Sequence, residues 1–297
     1  MQKLKRDKIF LLLLLPTILY YVIFKYMPMF GIVISFKQYE VFKGIWESDW
    51  VGLKHYITFF QSPSAWNLIR NTFLIGFYSL IFGFPAPIIL ALLLNELRQN
   101  GLKRVFQSLS YLPHFISIVV VTSMATMFLS PTNGIVNELL GFLGIDPIPF
   151  MQKASWFRTI YVSTGIWQEV GWGSIIYLAA LTTIDPQLYD AAEMDGASRG
   201  KKMWHITIPG IMPAIVILLI LRVGNIIDIG FEKVYLLYNP ATYETADILS
   251  TYVYRTGLVA GNFSYGAAID VFSGVIGLIF VVTVNHIARK VGENSLW

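Results

Sequence analysis

The stretch DAAEMDGASRGKKMWHITIP, residues 190–209, is a polar interruption in an otherwise oily chain. It opens on small residues and carboxylates, turns at Gly196, runs through cations and ends on an aromatic patch and a proline. Its start signals are explicit. Asp185 can cap a helix, and Pro186 suits the first helical position, where a missing N–H costs nothing. Leu188, Ala191 and Ala192 then share one side at helical spacing. Gly196 suits a turn, since glycine accepts the positive φ that ends helices. Ser198 can cap a second short helix, whose Met203, Trp204 and Ile208 lead back to an apolar run. Residues 185–209 are therefore expected to form a helical loop. Its small residues either admit another protein's surface or merely let the loop pack on itself.

The flanks decide the class. Of 297 residues, 55% are hydrophobic and 13% charged, where a soluble domain carries about 25% charged residues. Much of the surface must face lipid. A spanning helix needs roughly 20 mostly apolar residues, and six such runs occur: about 9–24 (IFLLLLLPTILYYVIF), 73–94, 105–129, 159–184, 206–227 and 267–287. Pro16, Pro85 and Pro87 are tolerable inside them, because neighbouring helices can satisfy the freed carbonyls. The expected fold is all-α and membrane-integral, with six crossings in one domain, 1–297.

Basic residues set the orientation. Lys3, Lys5, Arg6 and Lys8 precede the first run, and Arg98, Lys103 and Arg104 lie between the second and third. Arg199, Lys201 and Lys202 lie between the fourth and fifth, and Arg289 and Lys290 follow the sixth. Six crossings put all four clusters on one side, and short basic loops face the cytoplasm. Both termini are expected there, and the loops at about 25–70, 130–158 and 228–266 outside. The pI of 9.1 expresses this bias and implies no nucleic-acid partner. The N-terminus resembles a signal peptide without a small-x-small cleavage site, so it is read as a retained first helix.

Catalytic signatures fail. GASRGKK (196–202) has three residues between its glycines and no Ser or Thr after Lys201, where a phosphate-binding loop needs four and a hydroxyl after its lysine. His55, His114, His205 and His286 stand on separate segments, and the chain has no cysteine, which excludes disulfides and thiolate metal sites. Polar groups inside spanning helices carry more information, because they usually face a bundle interior or a wet cavity. WQEVGW in the fourth run supplies Trp167, Gln168, Glu169 and Trp172; the fifth supplies Arg222, Asn225 and Asp228. Two readings stand. Glu169 and Arg222 pair with each other or with backbone to fix packing. Alternatively, Trp167, Gln168, Glu169, Trp172, Asn225 and Asp228 line a solute path, with aromatic faces on sugar C–H surfaces and polar groups on hydroxyls.

The 190–209 stretch also resembles the cytoplasmic loop signature of permease subunits of binding-protein-dependent ABC importers: E-A-A-x-x-x-G, about nine residues, then I-x-L-P. The matching positions are Asp190-Ala191-Ala192, Gly196 and Ile206-Thr207-Ile208-Pro209. Asp190 replaces the usual glutamate with a shorter carboxylate, and Ile208 replaces the usual leucine. VGLKHYITFF (51–60), WNLIRNTF (66–73), YLPHFIS (111–117) and 230–258 look like the carbohydrate-uptake branch, in particular permeases for oligosaccharides and polysaccharide fragments. The resemblance implies a type I importer fold in a bacterial cytoplasmic membrane and no enzyme activity in this chain. It implies a second homologous permease, two cytoplasmic ATPases that hold ATP and Mg, and an extracytoplasmic solute-binding protein. It makes Asp190, Ala191, Ala192, Asp195, Gly196, Ala197, Ile206 and Pro209 the loop that couples to an ATPase. An ion-coupled sugar transporter is the alternative, although such folds usually show inverted repeats and broken helices that the sequence does not display.

Overall fold

The computed structural model describes residues 8–97, 99–224, 226–227 and 229–291. Among them, the α-helices of seven residues or more are α1 (Lys8–Tyr21), α2 (Lys54–Gln61), α3 (Ala65–Gly83), α4 (Pro85–Glu96), α5 (Asn100–Tyr111) and α6 (Ile118–Phe128). They continue with α7 (Ile135–Phe142), α8 (Ala154–Leu181), α9 (Pro186–Met194), α10 (Ile208–Gly224), α11 (Phe231–Leu237) and α12 (Phe263–Val291). The lone sheet among the described residues is a two-residue antiparallel pair, β1 (Lys37–Gln38) with β2 (Asp49–Trp50), in register Lys37↔Trp50.

Among the described residues, four stretches are long and apolar enough to cross a membrane: Leu12–Phe36, Ala65–Glu96, Arg199–Gly224 and Phe263–Thr283. They match the first, second, fifth and sixth expected runs. The third run is not one straight helix. Asn100–Phe115 and Ile118–Phe128 meet at 101°: the first helix tightens into a 3-10 turn over Leu112–Phe115, with Pro113 in its first turn, and Ile116 and Ser117 are extended; Ser117 then restarts the helix by accepting from the Val120 amide. Most of the fourth run, 159–184, lies in α8, a helix of 28 residues, about 42 Å at 1.5 Å per residue. Gln168 and Glu169 leave it too polar to qualify on composition alone.

Contacts divide the chain into two compact units. The first takes the described residues up to Ala65 together with Tyr252–Ser273. Here Lys37 Nζ donates to the carbonyls of Ile45 and Trp46, both at 2.9 Å, and closes the β1–β2 loop. Phe36 stacks on Trp50, and Phe59 and Phe60 pack on Phe272. Along α1 the leucines Leu12 to Leu15 are exposed, as lipid-facing residues must be.

The second unit takes Trp66–Thr251 and the chain from Gly274. One core joins Ile75, Ala125, Phe157, Ile229, Val234, Leu237, Ala246 and Ile248; another joins Ala91, Tyr177, Leu181 and Ile211. Buried Asn71 ties the 239–251 loop to α3. Its amide donates to the carbonyls of Glu244 and Asp247, and its oxygen accepts from Arg158. Val234 and Leu237, one helical turn apart, anchor α11 in the first core and turn Lys233 toward α8.

Candidate functional site

The 185–209 segment is built as its sequence implies. Asp185 Oδ1 accepts from the Gln187 amide at 2.9 Å, with Pro186 at the first helical position. At the other end of α9, Gly196 has φ +71°. Its N–H donates to the Glu193 carbonyl, and Ala197 N–H donates to the Ala192 carbonyl at 2.9 Å. That pair of bonds is the Schellman closure, which requires a left-handed residue at the turn. Ser198 caps the following turn by accepting from Lys201 N–H.

Both legs of this elbow are tied. Tyr189 Oη and Thr207 Oγ1 lie 3.0 Å apart, and Lys202 Nζ meets Glu193 Oε2 at 3.1 Å. Asp190, Ala191, Asp195, Gly196 and Pro209 are exposed, whereas Ala192, Ala197 and Ile206 are half-buried. The elbow also exposes Leu188 (52%), Met194 (89%) and Trp204 (68%). An apolar face is thus left uncovered on a polar loop.

A cavity of about 800 Å3 opens along α8, within the roughly 300–1,000 Å3 of small-molecule sites. Its wall is formed by the α3–α4 junction at Gly83, Phe84 and Pro87, by one face of α8, by Leu218 and Arg222 of α10, and by residues 230–233. Gln168 and Glu169 line it; Trp167 and Trp172 do not. The aromatic walls are instead Phe84, Tyr161, Tyr177 and Phe231. Asn225 and Asp228 lie outside the described residues.

WQEVGW also seats the broken third span. Gln168 is buried, and its amide donates at 3.0 Å to the Ile116 carbonyl, a group freed by the break that lipid could not satisfy. Glu169 Oε2 meets His114 Nδ1 at 3.0 Å, so its partner among the described residues is His114 rather than Arg222. Trp172 stacks flat on His114, with centroids 4.5 Å apart and an interplanar angle of 1°. Gly171 carries no Cβ because one would collide with the backbone carbonyl of Ser110.

Sequence reading missed Lys233. Only 7% of it is exposed. Nζ donates to the Tyr161 carbonyl at 2.8 Å and sits 4.7 Å from the centre of that tyrosine's ring. A Cβ at Gly165 would lie 3.0 Å from the same nitrogen, so the glycine makes its room. Burial pulls the ammonium down to about 7, and the Glu169 carboxylate partly holds it up. The signal lay in GFEKV (230–234), where a lysine interrupts an apolar helical face.

Residues 83–293 match the family of binding-protein-dependent transport system inner membrane components. The chain belongs to this family. It is 48% identical over 295 residues to the polygalacturonan/rhamnogalacturonan transport system permease protein YteP of Bacillus subtilis (strain 168), covering 99% of this chain and 92% of that one. A crystal structure of a bacterial ABC transporter involved in the import of the acidic polysaccharide alginate superposes with a TM-score of 0.92. Identity there is 43%, covering 98% of this chain and 99% of that one. A second structure of a bacterial alginate ABC transporter, in complex with an alginate pentasaccharide-bound periplasmic protein, gives the same TM-score and identity over 99% of both chains. The chain is a multi-pass membrane permease of an ABC importer, not an enzyme.

Proposed function

We propose that this permease carries an acidic oligosaccharide or polysaccharide fragment into the cytoplasm. A solute-binding protein delivers the sugar outside, a second homologous permease completes the pathway, and two cytoplasmic ATPases holding ATP and Mg drive it. The carrying observation is the likeness, over nearly the whole chain, to permeases named for polygalacturonan/rhamnogalacturonan and for alginate. The cavity beside α8 supports it with a mixture of aromatic, amide and charged groups.

In this reading the exposed face of the 185–209 elbow seats in an ATPase groove, and ATP-driven closure moves the elbow so that the cavity alternates between its two faces. The basic clusters favour a cytoplasmic elbow and cytoplasmic termini; a topology reporter inserted at residues 200–201 that reads outside would reverse this.

The test is ATP-driven uptake of labelled oligosaccharide into vesicles holding this chain with its partner subunits and the binding protein. Uptake should require every subunit and internal ATP hydrolysis. Uptake by this chain alone, driven by an ion gradient, would replace the importer with a secondary transporter.

A further inference from the structure

We infer that Lys233 reads the carboxylate of the transported sugar, making it the residue by which this cavity selects an acidic chain over a neutral one. The inference rests on the importer reading above. A buried ammonium is costly unless its charge is compensated. Lys233 has three N–H donors. The structure gives them one carbonyl, that of Tyr161, and one ring face, and among the described residues no carboxylate lies within ion-pair distance of Nζ. The two carboxylates on the same cavity wall are placed differently. Glu169 is held by His114, and Glu232 is exposed on the neighbouring position of α11.

The site is also shaped for the ammonium. Val234 and Leu237 fix α11 in the core, the Tyr161 ring forms one side, and the missing side chain of Gly165 leaves space for Nζ. Tyr161, Gly165 and Glu169 recur every four residues along α8, so they form one stripe on the cavity wall. An amine used only for packing would not need a glycine opposite it or a cavity in front of it. A carboxylate entering that cavity supplies the missing acceptor and forms a charge-assisted hydrogen bond in a desolvated place, where such bonds are strongest. A hydroxyl or a methyl ester supplies neither the charge nor an equal acceptor.

The experiment uses the complete transporter in vesicles and compares uptake of trigalacturonate with uptake of its methyl ester. Lys233→Gln should lower trigalacturonate uptake about tenfold, the scale of one lost charge-assisted hydrogen bond, and leave ester uptake within about twofold. Lys233→Arg should keep the preference for the acid. Gly165→Ala, which pushes a methyl group against Nζ, should reduce the acid-to-ester ratio without removing the lysine; it carries the test if the glutamine variant fails to assemble. An unchanged ratio, or equal loss on both sugars, overturns the inference. If the wild type carries only the ester, the inference falls while the importer reading stands. If it carries neither sugar, both fall.

Discussion

Two glycines in the 185–209 elbow, four residues apart, should respond to alanine in opposite directions. Gly196 holds φ +71° at the end of α9, with no atom within 4 Å of where its Cβ would be. Gly200 is equally open but lies inside the Arg199–Lys202 helical turn, without a positive φ. Sterics therefore cancel, and backbone conformation alone separates them. Left-handed backbone costs an L-residue roughly 1–2 kcal/mol, which multiplies the opened population about 5- to 30-fold. A helix of nine residues has little intrinsic stability to absorb that. At Gly200, alanine should instead stabilise by about 0.5–1 kcal/mol.

Hydrogen exchange reads this directly at the amides of Gly196 and Ala197, which close α9 onto Glu193 and Ala192. Gly196→Ala should exchange faster, Gly196→Asn by a smaller factor, and Gly200→Ala no faster than wild type. In the proposed importer, uptake should fall in the same order. If the two alanine variants exchange alike, or Gly196→Ala keeps wild-type protection, the Schellman elbow is not what holds this loop.

Two further outcomes test how α8 holds the broken span. Gly171→Ala forces a methyl into the Ser110 carbonyl, where both sides are backbone, so the purified complex should lose at least the 1–3 kcal/mol typical of overpacking; an unchanged Tm would disprove that contact. Glu169→Gln alters a hydrogen-bonded pair with His114 whose carboxylate side chain is 57% exposed, so it should cost under about 1 kcal/mol. Adding Arg222→Gln should recover nothing, and recovery of Tm by that double change would restore the Glu169–Arg222 pairing.

The elbow was fully legible because its determinants are local: a cap at Asp185, a proline at Pro186, a left-handed glycine at Gly196. Hydrophobic runs located the spans for the same reason. The break in the third span could have been suspected from Pro113, yet Pro16 and Pro213 lie inside continuous helices, so proline alone did not decide it. The break leaves the Ile116 carbonyl to another helix, and the group that satisfies it, Gln168, lies 52 residues away. For Glu169 the sequence suggested Arg222 or backbone, and nothing local pointed to His114, 55 residues away. Lys233 was hidden for a related reason. Its importance comes from Tyr161 and Gly165, which only the packing of α11 on α8 brings beside it.

These long-range contacts change what α8 does. A single face of this helix carries the Lys233 stripe at Tyr161 and Gly165, and the next turns grip the broken span through Gln168, Glu169 and Gly171. The same helix ends at Leu181, four residues before the Asp185 cap of the elbow. Across that short link, Gly210 at the start of α10 lies against Ile184, where even a methyl group would press on the isoleucine side chain, and Tyr189 is tied to Thr207. The elbow therefore cannot shift relative to α10 without breaking those contacts, and it joins α8 through too few residues to absorb a displacement. In the proposed importer, a push on the elbow must then move α8 and α10 together. Both helices line the cavity, α8 through Gly165 and Glu169 and α10 through Leu218 and Arg222. α11 rides on the same core as α8 through Val234, Leu237 and Phe157, so Lys233 would travel with its tyrosine and glycine as one body. Rigid transmission of that kind preserves the ammonium's setting while changing which side the cavity opens to, so a bound carboxylate would be released by loss of its other contacts rather than by dismantling the lysine site.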